Sequence, residues 1–295
     1  MEIKCKFCNS KEVIRRGVRI TKNRGKVQRF GCKDCHQRFS IDEGFWKMKN
    51  HKDKITACMN LYYSGMSLRK IQSHLQMFAP KNSHYPTIYR WIVKYVEMIG
   101  GDTDRLQIEN GKELMSDEME YHRLGQQNWF VDVMDTETRF IVASDYMESR
   151  TLDDMTKVLK KGRKTITQPI SVITTDGLRG YPRILRRTFG VDKNYGNFVN
   201  KRKSPITHNI VIASERGFNH KIERLHGTIR ERTKVMRGFH GSLESARAIM
   251  KGFEIYYNYI RKHQGIDSNT PQQVAMKNLD LGTNKWLSLI KLSCC

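Results

Sequence analysis

Hydrophobic and polar positions follow three different patterns along the chain, and each pattern predicts a different kind of structure. Residues 1–45 combine short strand-like runs with a high density of Lys, Arg, Gly and Cys. From about residue 50 to residue 99, apolar residues recur at helical spacing, as at Ile55, Met59 and Tyr62. We therefore expect a small module of residues 1–45, followed by a helical module of residues 50–99.

The helical module is predicted to contain three helices. The second follows Gly65 and has Ser67 as its candidate cap, and the third has Pro86 near its start. Three helices, with a glycine in the turn that connects the first helix to the second, are typical of a helix-turn-helix DNA-binding module. A helical connector without a role in DNA binding is the alternative. The third helix would offer three side chains to DNA: Tyr89, Arg90 and Lys94.

After a polar linker, residues 110–276 predict a single α/β domain. The expected order is three antiparallel strands, a helix, a strand, a helix, a strand and then helices. The second and third strands form a hairpin that turns at Asp135 to Glu137, and the fourth strand, residues 172–175, runs into Asp176. Residues 277–295 are expected to form a C-terminal tail. The fold class is therefore α/β, preceded by two smaller modules.

The charge of the chain narrows the class of partner. It has 53 Lys and Arg against 30 Asp and Glu, a net charge of +23. A surplus of this size favours a polyanion, because each phosphate that is neutralised releases condensed counterions. The sequence contains no apolar run of about 18 residues and no apolar signal core at its start, so neither a membrane span nor secretion is expected. We expect a cytoplasmic, nucleoid-associated protein that binds double-stranded DNA.

Four cysteines near the start of the chain predict a zinc site. Cys5, Cys8, Cys32 and Cys35 are spaced C-x2-C-x23-C-x2-C. Two such pairs give zinc four thiolates and close a tetrahedral shell, which leaves no position for a catalytic water. Because the segment is short and polar, one structural Zn²⁺ would replace a hydrophobic core. Unliganded or redox-active cysteines are the alternative.

Three acidic residues of the α/β domain lie within or at the ends of predicted secondary-structure elements, where a charged side chain indicates a possible function. Asp117 is in the first strand, Asp176 ends the fourth strand, and Glu223 lies in a basic helix. If the first and fourth strands are neighbours, Asp117 and Asp176 meet, and a helix over that edge can present Glu223 to both. Their repulsion would raise their pKa values unless cations neutralise them. Two Mg²⁺ (or Mn²⁺) ions fit this need, since they prefer oxygen ligands.

Four stretches in this order resemble the DDE transposases of prokaryotic insertion sequences, a family of the retroviral-integrase superfamily. They are the Asp117–Glu118 pair, TTDG with Asp176, IERLHGTIRERTKVMRGF around Glu223, and residues 256–275. The resemblance covers about residues 110–276. It implies a ribonuclease-H-like catalytic domain in which the three acids are catalytic metal ligands. It also implies that cleavage releases a 3′-OH, that this 3′-OH attacks target DNA, and that a homodimer or larger oligomer acts on element ends.

Alternatives remain for two of the acids and for the activity. Glu215 rivals Glu223, because the interval before Glu223 is longer than is common in the family. Asp132 and Asp135 rival Asp117. A nuclease of the same fold that does not join strands is a second enzymatic interpretation. A DNA-binding regulator derived from a transposase is a third interpretation, from another class.

The helix around Glu223 is rich in cations and suits a bound phosphodiester backbone. A solvated basic helix face is the alternative. The basic segment of residues 192–205, which accounts for the long interval between the last two acids, could also contact DNA. The expected DNA-binding residues of the helix are Asn219, Lys221, Arg224, Arg230, Arg232, Lys234 and Arg237.

Overall fold

The computed structural model describes residues 3–21, 24–80, 82–190, 206–211, 220–236 and 238–294. Several sequence predictions lie outside these ranges: those for Asn219, Arg237, Glu215 and the segment 192–205. Among the described residues, none of the helices combines the length and the apolar character that crossing a membrane requires.

The first unit is a small antiparallel sheet in the order β1–β2–β3. Its strands are β1 (Val13–Thr21), β2 (Gly25–Cys32) and β3 (Arg38–Phe39). Its own buried apolar cluster contains only four residues, of which two are cysteines: Cys5, Phe30, Cys32 and Phe39. A cluster this small contributes little to the stability of a fold.

Three helices follow: α1 (Lys52–Tyr63), α2 (Leu68–Phe78) and α3 (Tyr85–Thr103). Their starts follow the local signals of the sequence. The Ser67 side chain caps α2 by accepting a hydrogen bond from the Lys70 amide at 3.3 Å, and Pro86 lies in the first turn of α3. Helix α3 continues beyond residue 99, where the sequence predicted the linker to begin.

The α/β unit is built on a five-stranded mixed sheet in the order β6–β5–β4–β7–β8. Its strands are β4 (Glu113–Glu120), β5 (Trp129–Asp135), β6 (Ile141–Met147), β7 (Val172–Thr175) and β8 (Thr207–Ile210). The first three pair antiparallel, whereas β4 pairs parallel with β7, and β7 with β8. The expectation that the first and fourth strands of this unit are neighbours is confirmed. Helix α4 (Leu152–Thr165) lies between β6 and β7 in the chain, and helix α5 (Tyr181–Phe189) lies between β7 and β8.

Helices make up most of the remaining chain. They are α6 (His220–Thr233), a 3₁₀ turn (Lys234–Met236), α7 (Leu243–Ile255), a π-helix (Tyr256–Ile260), a second 3₁₀ turn (Gln264–Ile266), α8 (Pro271–Ala275) and α9 (Lys285–Leu292). The segment 277–295, which the sequence predicted to be a tail, therefore contains a helix. Trp286, Leu289 and Ile290 of α9 are buried.

One hydrophobic core joins the helical unit to the α/β unit. Tyr63 of α1 lies at the junction: its hydroxyl donates to the Ile249 carbonyl of α7 at 3.4 Å, and its ring stacks on Trp286. Helix α3 packs against α7 at Gly100, where an added Cβ would lie 3.2 Å from the Lys251 side chain. This close approach accounts for the glycine at position 100, despite the low helix propensity of glycine.

Candidate active site and metal centres

The end of β7 brings two of the predicted acids together. The last ladder pair between β4 and β7 is Ser116 with Thr175, so Asp117 and Asp176 follow side by side. The Leu178 amide donates to Asp176 Oδ1 at 3.0 Å, which fixes the turn after β7. Asp176 therefore stabilises its turn and also joins an acidic cluster. Asp117, Glu118 and Asp176 each offer a carboxylate oxygen, and these oxygens lie within 4.8 Å of one another.

Nearby cations compensate the charge of the acidic cluster only in part. Burial is the main reason why the pKa of Asp117 rises to about 6, although the nearby His226 opposes the rise. Burial, followed by the charges of Asp176 and Asp117, raises the pKa of Glu118 to about 7. Glu118 Oε1 is buried and has no hydrogen-bond partner among the described residues. Three crowded carboxylates with an unpaired oxygen fit Mg²⁺ or Mn²⁺, which take oxygen ligands.

His226 of α6 fixes the helix beside this cluster. Its Nε2 lies 2.9 Å from Asp132 Oδ1, and its Nδ1 lies 3.6 Å from Asp117 Oδ2. Asp117 and Asp132 face each other directly across β4 and β5, where like charges repel. Burial alone would lower the pKa of His226, but the charges of Asp132 and Asp117 more than offset this and raise it. When it is protonated, the imidazole balances the two facing carboxylates.

The two rivals of Asp117 already have structural partners. Asp132 is fully buried and paired with His226. Asp135 accepts hydrogen bonds from the Gly111 amide at 3.0 Å and from the Thr138 amide at 2.9 Å, as a hairpin-turn residue does. Asp117, by contrast, keeps 19% of its side chain exposed next to Asp176. The geometry thus favours Asp117 as the ligand from the first strand of the sheet.

Glu223 is not part of the cluster in this structure. It is exposed in the first turn of α6, three residues before His226 and so one turn away on the same side of the helix. Glu118 takes the third place beside Asp117 and Asp176. Sequence reasoning did not select Glu118, because neighbouring residues of a strand point to opposite faces. Asp176 lies beyond the last ladder pair, at the end of β7, within reach of both side chains.

The four cysteines of the first unit converge as their spacing predicts. Cys5 Sγ lies 3.6 Å from Cys35 Sγ, and Cys8 Sγ lies 3.5 Å from Cys32 Sγ. A tetrahedral zinc–thiolate site with bonds of about 2.3 Å has sulfur atoms about 3.8 Å apart. Burial works against ionisation of Cys5, but backbone amides, including that of Phe7, more than offset it and lower its pKa to about 7. The four Sγ atoms are thus arranged for one Zn²⁺.

The residues predicted to bind DNA fall into exposed and engaged groups. Of those on α3, Tyr89 is half-buried, whereas Arg90 and Lys94 are exposed and lie four residues apart, on one helix face. Of the residues predicted to bind DNA on α6 and the turn after it, Arg224, Arg230 and Lys234 are exposed.

Two of the expected DNA contacts on α6 instead hold the fold together. Lys221 donates to the Thr136 carbonyl at 2.8 Å, and Arg232 donates to the Ser64 carbonyl in the turn between α1 and α2. Arg150 was not selected from the sequence. It lies over the Trp129 ring, 3.8 Å from its centroid, and its charge acts on Glu118.

Comparisons with known proteins relate one part of the chain to integrases. Residues 206–271, from β8 to the start of α8, match the family described as Integrase core domain. No curated protein matches the chain. The family match relates this part of the chain, including the edge strand β8 of the five-stranded sheet, to integrase cores.

Solved structures with similarity to the chain include two retroviral ones. The catalytic core domain of HTLV-2 integrase with magnesium, in its dimeric form, gives a TM-score of 0.40 at 13% identity over 58% of this chain and 98% of that chain. The intasome of simian T-cell lymphotropic virus, in complex with PP2A regulatory subunit B56 gamma, gives a TM-score of 0.40 at 10% identity over 73% of each chain.

Proposed function

We propose that the chain is a DDE-type DNA transposase that cuts and joins DNA strands at the acidic cluster. The observation that carries the proposal is the meeting of Asp117, Glu118 and Asp176 where the ladder between the neighbouring strands β4 and β7 ends. The coarser activity, metal-dependent transfer of polynucleotide strands, has the support of the family match.

Each acid has a proposed role. Asp117 and Asp176 would hold two Mg²⁺ ions, with Glu118 as a neighbouring ligand and Glu223 as the ligand from α6. When bound, the ions supply activation of the attacking oxygen and stabilisation of the leaving oxygen of a phosphodiester. His226 keeps Asp117 in place and aligns α6 with the sheet, which sets the direction from which Glu223 approaches.

DNA recognition is proposed for the two N-terminal units and for the cations beside the cluster. Arg90 and Lys94 of α3 would contact element ends together with the zinc unit. The phosphodiester backbone of the DNA would lie across Arg224, Arg230 and Lys234, which are exposed on the same segment as Glu223. Two or more copies would hold a pair of ends together.

The proposal is tested with DNA that carries the terminal sequences of the encoding element. Wild-type protein should cleave this DNA in Mg²⁺ and join pre-cut ends to a target plasmid. Asp176→Asn should lose both reactions while binding DNA with unchanged affinity, because it removes a metal ligand and not a phosphate contact. Asp42→Asn is the matched control, since Asp42 also accepts an amide two residues ahead, from Gly44 at 3.0 Å. Full activity of Asp176→Asn would refute the metal assignment. If the wild-type protein cleaves DNA but does not join pre-cut ends, it is a nuclease.

The third ligand is assigned by a second pair of variants. Glu223→Gln should abolish cleavage but leave the binding of Mg²⁺ by Asp117, Glu118 and Asp176 intact, because these three acids meet without Glu223. Glu118→Gln should weaken this binding of Mg²⁺ itself. If Glu223→Gln retains full activity, Glu118 is the third catalytic acid, and Glu223 belongs with the exposed residues of α6.

A further inference from the structure

A second site lies in the helical part of the molecule, in a cavity of about 580 Å³ between α1, the end of the π-helix and the start of α9. Its lining includes Thr56, Ser64, Arg261, Lys285 and Trp286. These elements carry none of the acids of the metal cluster. Arg261 belongs to the C-terminal stretch that resembles the transposases, and the function proposed above gives it no task.

The cavity gathers hydrogen-bond donors that have no acceptor. Arg261 Nη1, Lys285 Nζ and Trp286 Nε1 are each buried without a partner within the described part of the chain. Trp286 is only 2% exposed, so water does not reach it freely. Buried donors are nearly always paired in folded proteins, and three orphans in the lining of one cavity indicate a missing acceptor.

Most of the charged side chains that line the cavity are cations, which also favour a bound anion. Arg261, Lys262 and Lys285 contribute three cations to its lining. The lining also includes Asp53, but this side chain is largely exposed and paired with His51 at 3.2 Å. Burial, followed by the charge of Lys262, lowers the pKa of Lys285, although the charge of Asp280 opposes the shift.

Backbone structure adds to this arrangement on both sides of the cavity. Helix α9 begins with Lys285 after its cap Asn284, so its positive dipole end adjoins the cavity. Arg261 follows directly after the π-helix Tyr256–Ile260, and its amide donates to the Tyr256 carbonyl at 2.8 Å. Single turns of π-helix frequently occur at functional sites, where they displace the residues that follow.

We propose that this cavity binds a phosphate group, held by Arg261, Lys285 and the indole N–H of Trp286. The guanidinium and ammonium groups would neutralise the anion, and the indole would donate to one of its oxygens. The phosphate is either one of the DNA backbone or free inorganic phosphate. The DNA source rests on the function proposed above, whereas the free-phosphate source does not.

Titration of the full-length protein with inorganic phosphate at constant ionic strength tests the proposal. Wild-type protein should bind phosphate, as followed by calorimetry. Lys285→Met should weaken binding about tenfold or more, because a hydrogen bond between charged groups is lost. Trp286→Phe removes the N–H but keeps a ring that can stack on Tyr63, and should weaken binding several-fold. Lys277→Met removes an exposed cation that does not line the cavity, and should bind like wild type.

Binding of the same variants to DNA identifies the source of the phosphate. If a backbone phosphate occupies the cavity, Lys285→Met should lower the slope of log K against log salt by about 0.9 relative to Lys277→Met. Phosphate binding with an unchanged slope would assign the site to free phosphate. Absence of both effects would overturn the proposal. A changed oligomeric state without any phosphate effect would also overturn it, and would indicate a carboxylate from a second copy. If the wild-type protein does not cleave DNA in Mg²⁺, the proposed function fails, but the phosphate titration still tests the cavity independently.

Discussion

Replacement of Asp176 by Asn should stabilise the metal-free protein and at the same time abolish its stabilisation by Mg²⁺. The Asn side chain retains the Oδ1 atom that accepts the Leu178 amide, so the turn after β7 is preserved. The substitution removes one of the three charges that crowd the acidic cluster. In ordinary surface positions, a change that keeps the hydrogen bond would leave stability almost unaltered.

The magnitude follows from the geometry of the cluster. Two unit charges at 4.8 Å, the outer distance between the ligand oxygens, repel by about 3.5 kcal/mol at an effective dielectric constant of about 20. Because solvent reaches part of the cluster, we expect a gain of about 1–3 kcal/mol at pH 8, where Glu118 is ionised. In wild type the raised pKa values of Asp117 and Glu118 mean that stability is lost as pH rises through about 6 to 7. The gain should therefore shrink at pH 5.5.

Unfolding in urea, followed by circular dichroism, measures both effects. In EDTA at pH 8, Asp176→Asn should unfold at higher urea than wild type. With saturating Mg²⁺ the order should reverse, because only wild type gains the free energy of metal binding. Asp42→Asn should follow wild type throughout. A destabilised Asp176→Asn in EDTA, or an equal response of both proteins to Mg²⁺, would refute the electrostatic reasoning.

Other predictions concern protons, zinc and salt. Protons compete for Asp117 and Glu118, so the Mg²⁺ dissociation constant should rise on the order of tenfold between pH 8 and pH 6; a constant value would contradict the pKa shifts. Cys5→Ser should lose the bound zinc in metal analysis and expose the first unit to protease, and unchanged zinc would exclude the site. His226→Ala leaves the buried Asp132 charge uncompensated and should cost about 3–5 kcal/mol in urea unfolding; a cost below about 1 kcal/mol would count against the pairing. DNA affinity should fall steeply between low and moderate salt, and a flat response would argue against phosphate contacts.

Local signals in the sequence predicted much of the fold. The caps Ser67 and Thr151 and the turn at Asp135 act through neighbouring backbone groups, so they can be read from the sequence alone. The continuation of α3 through Gly100 and the packing of α9 against α1 depend on contacts between residues far apart in the chain. Such contacts override local propensity, and neither was expected.

The acidic site shows the same division. Asp117 and Asp176 meet because β4 and β7 are neighbours, and this one adjacency was expected from the sequence. The sequence also predicted where β7 ends, but not that Asp176, beyond the last ladder pair, would lie within reach of the carboxylates of both Asp117 and Glu118. The role of His226 depends on which face of α6 meets the sheet. The one available signal was the spacing of three between Glu223 and His226, which places both on one side of a helix.

The most direct measurement is the anomalous difference map of crystals of the full-length protein soaked in Mn²⁺. The two-metal proposal predicts density between Asp117 and Asp176, at the edge where β4 and β7 meet. Contacts from Glu118 or Glu223 in the same map would show which of the two completes the site. A map without density at this edge under saturating Mn²⁺ would contradict the proposal, whether or not the four cysteines of the first unit bind a metal ion.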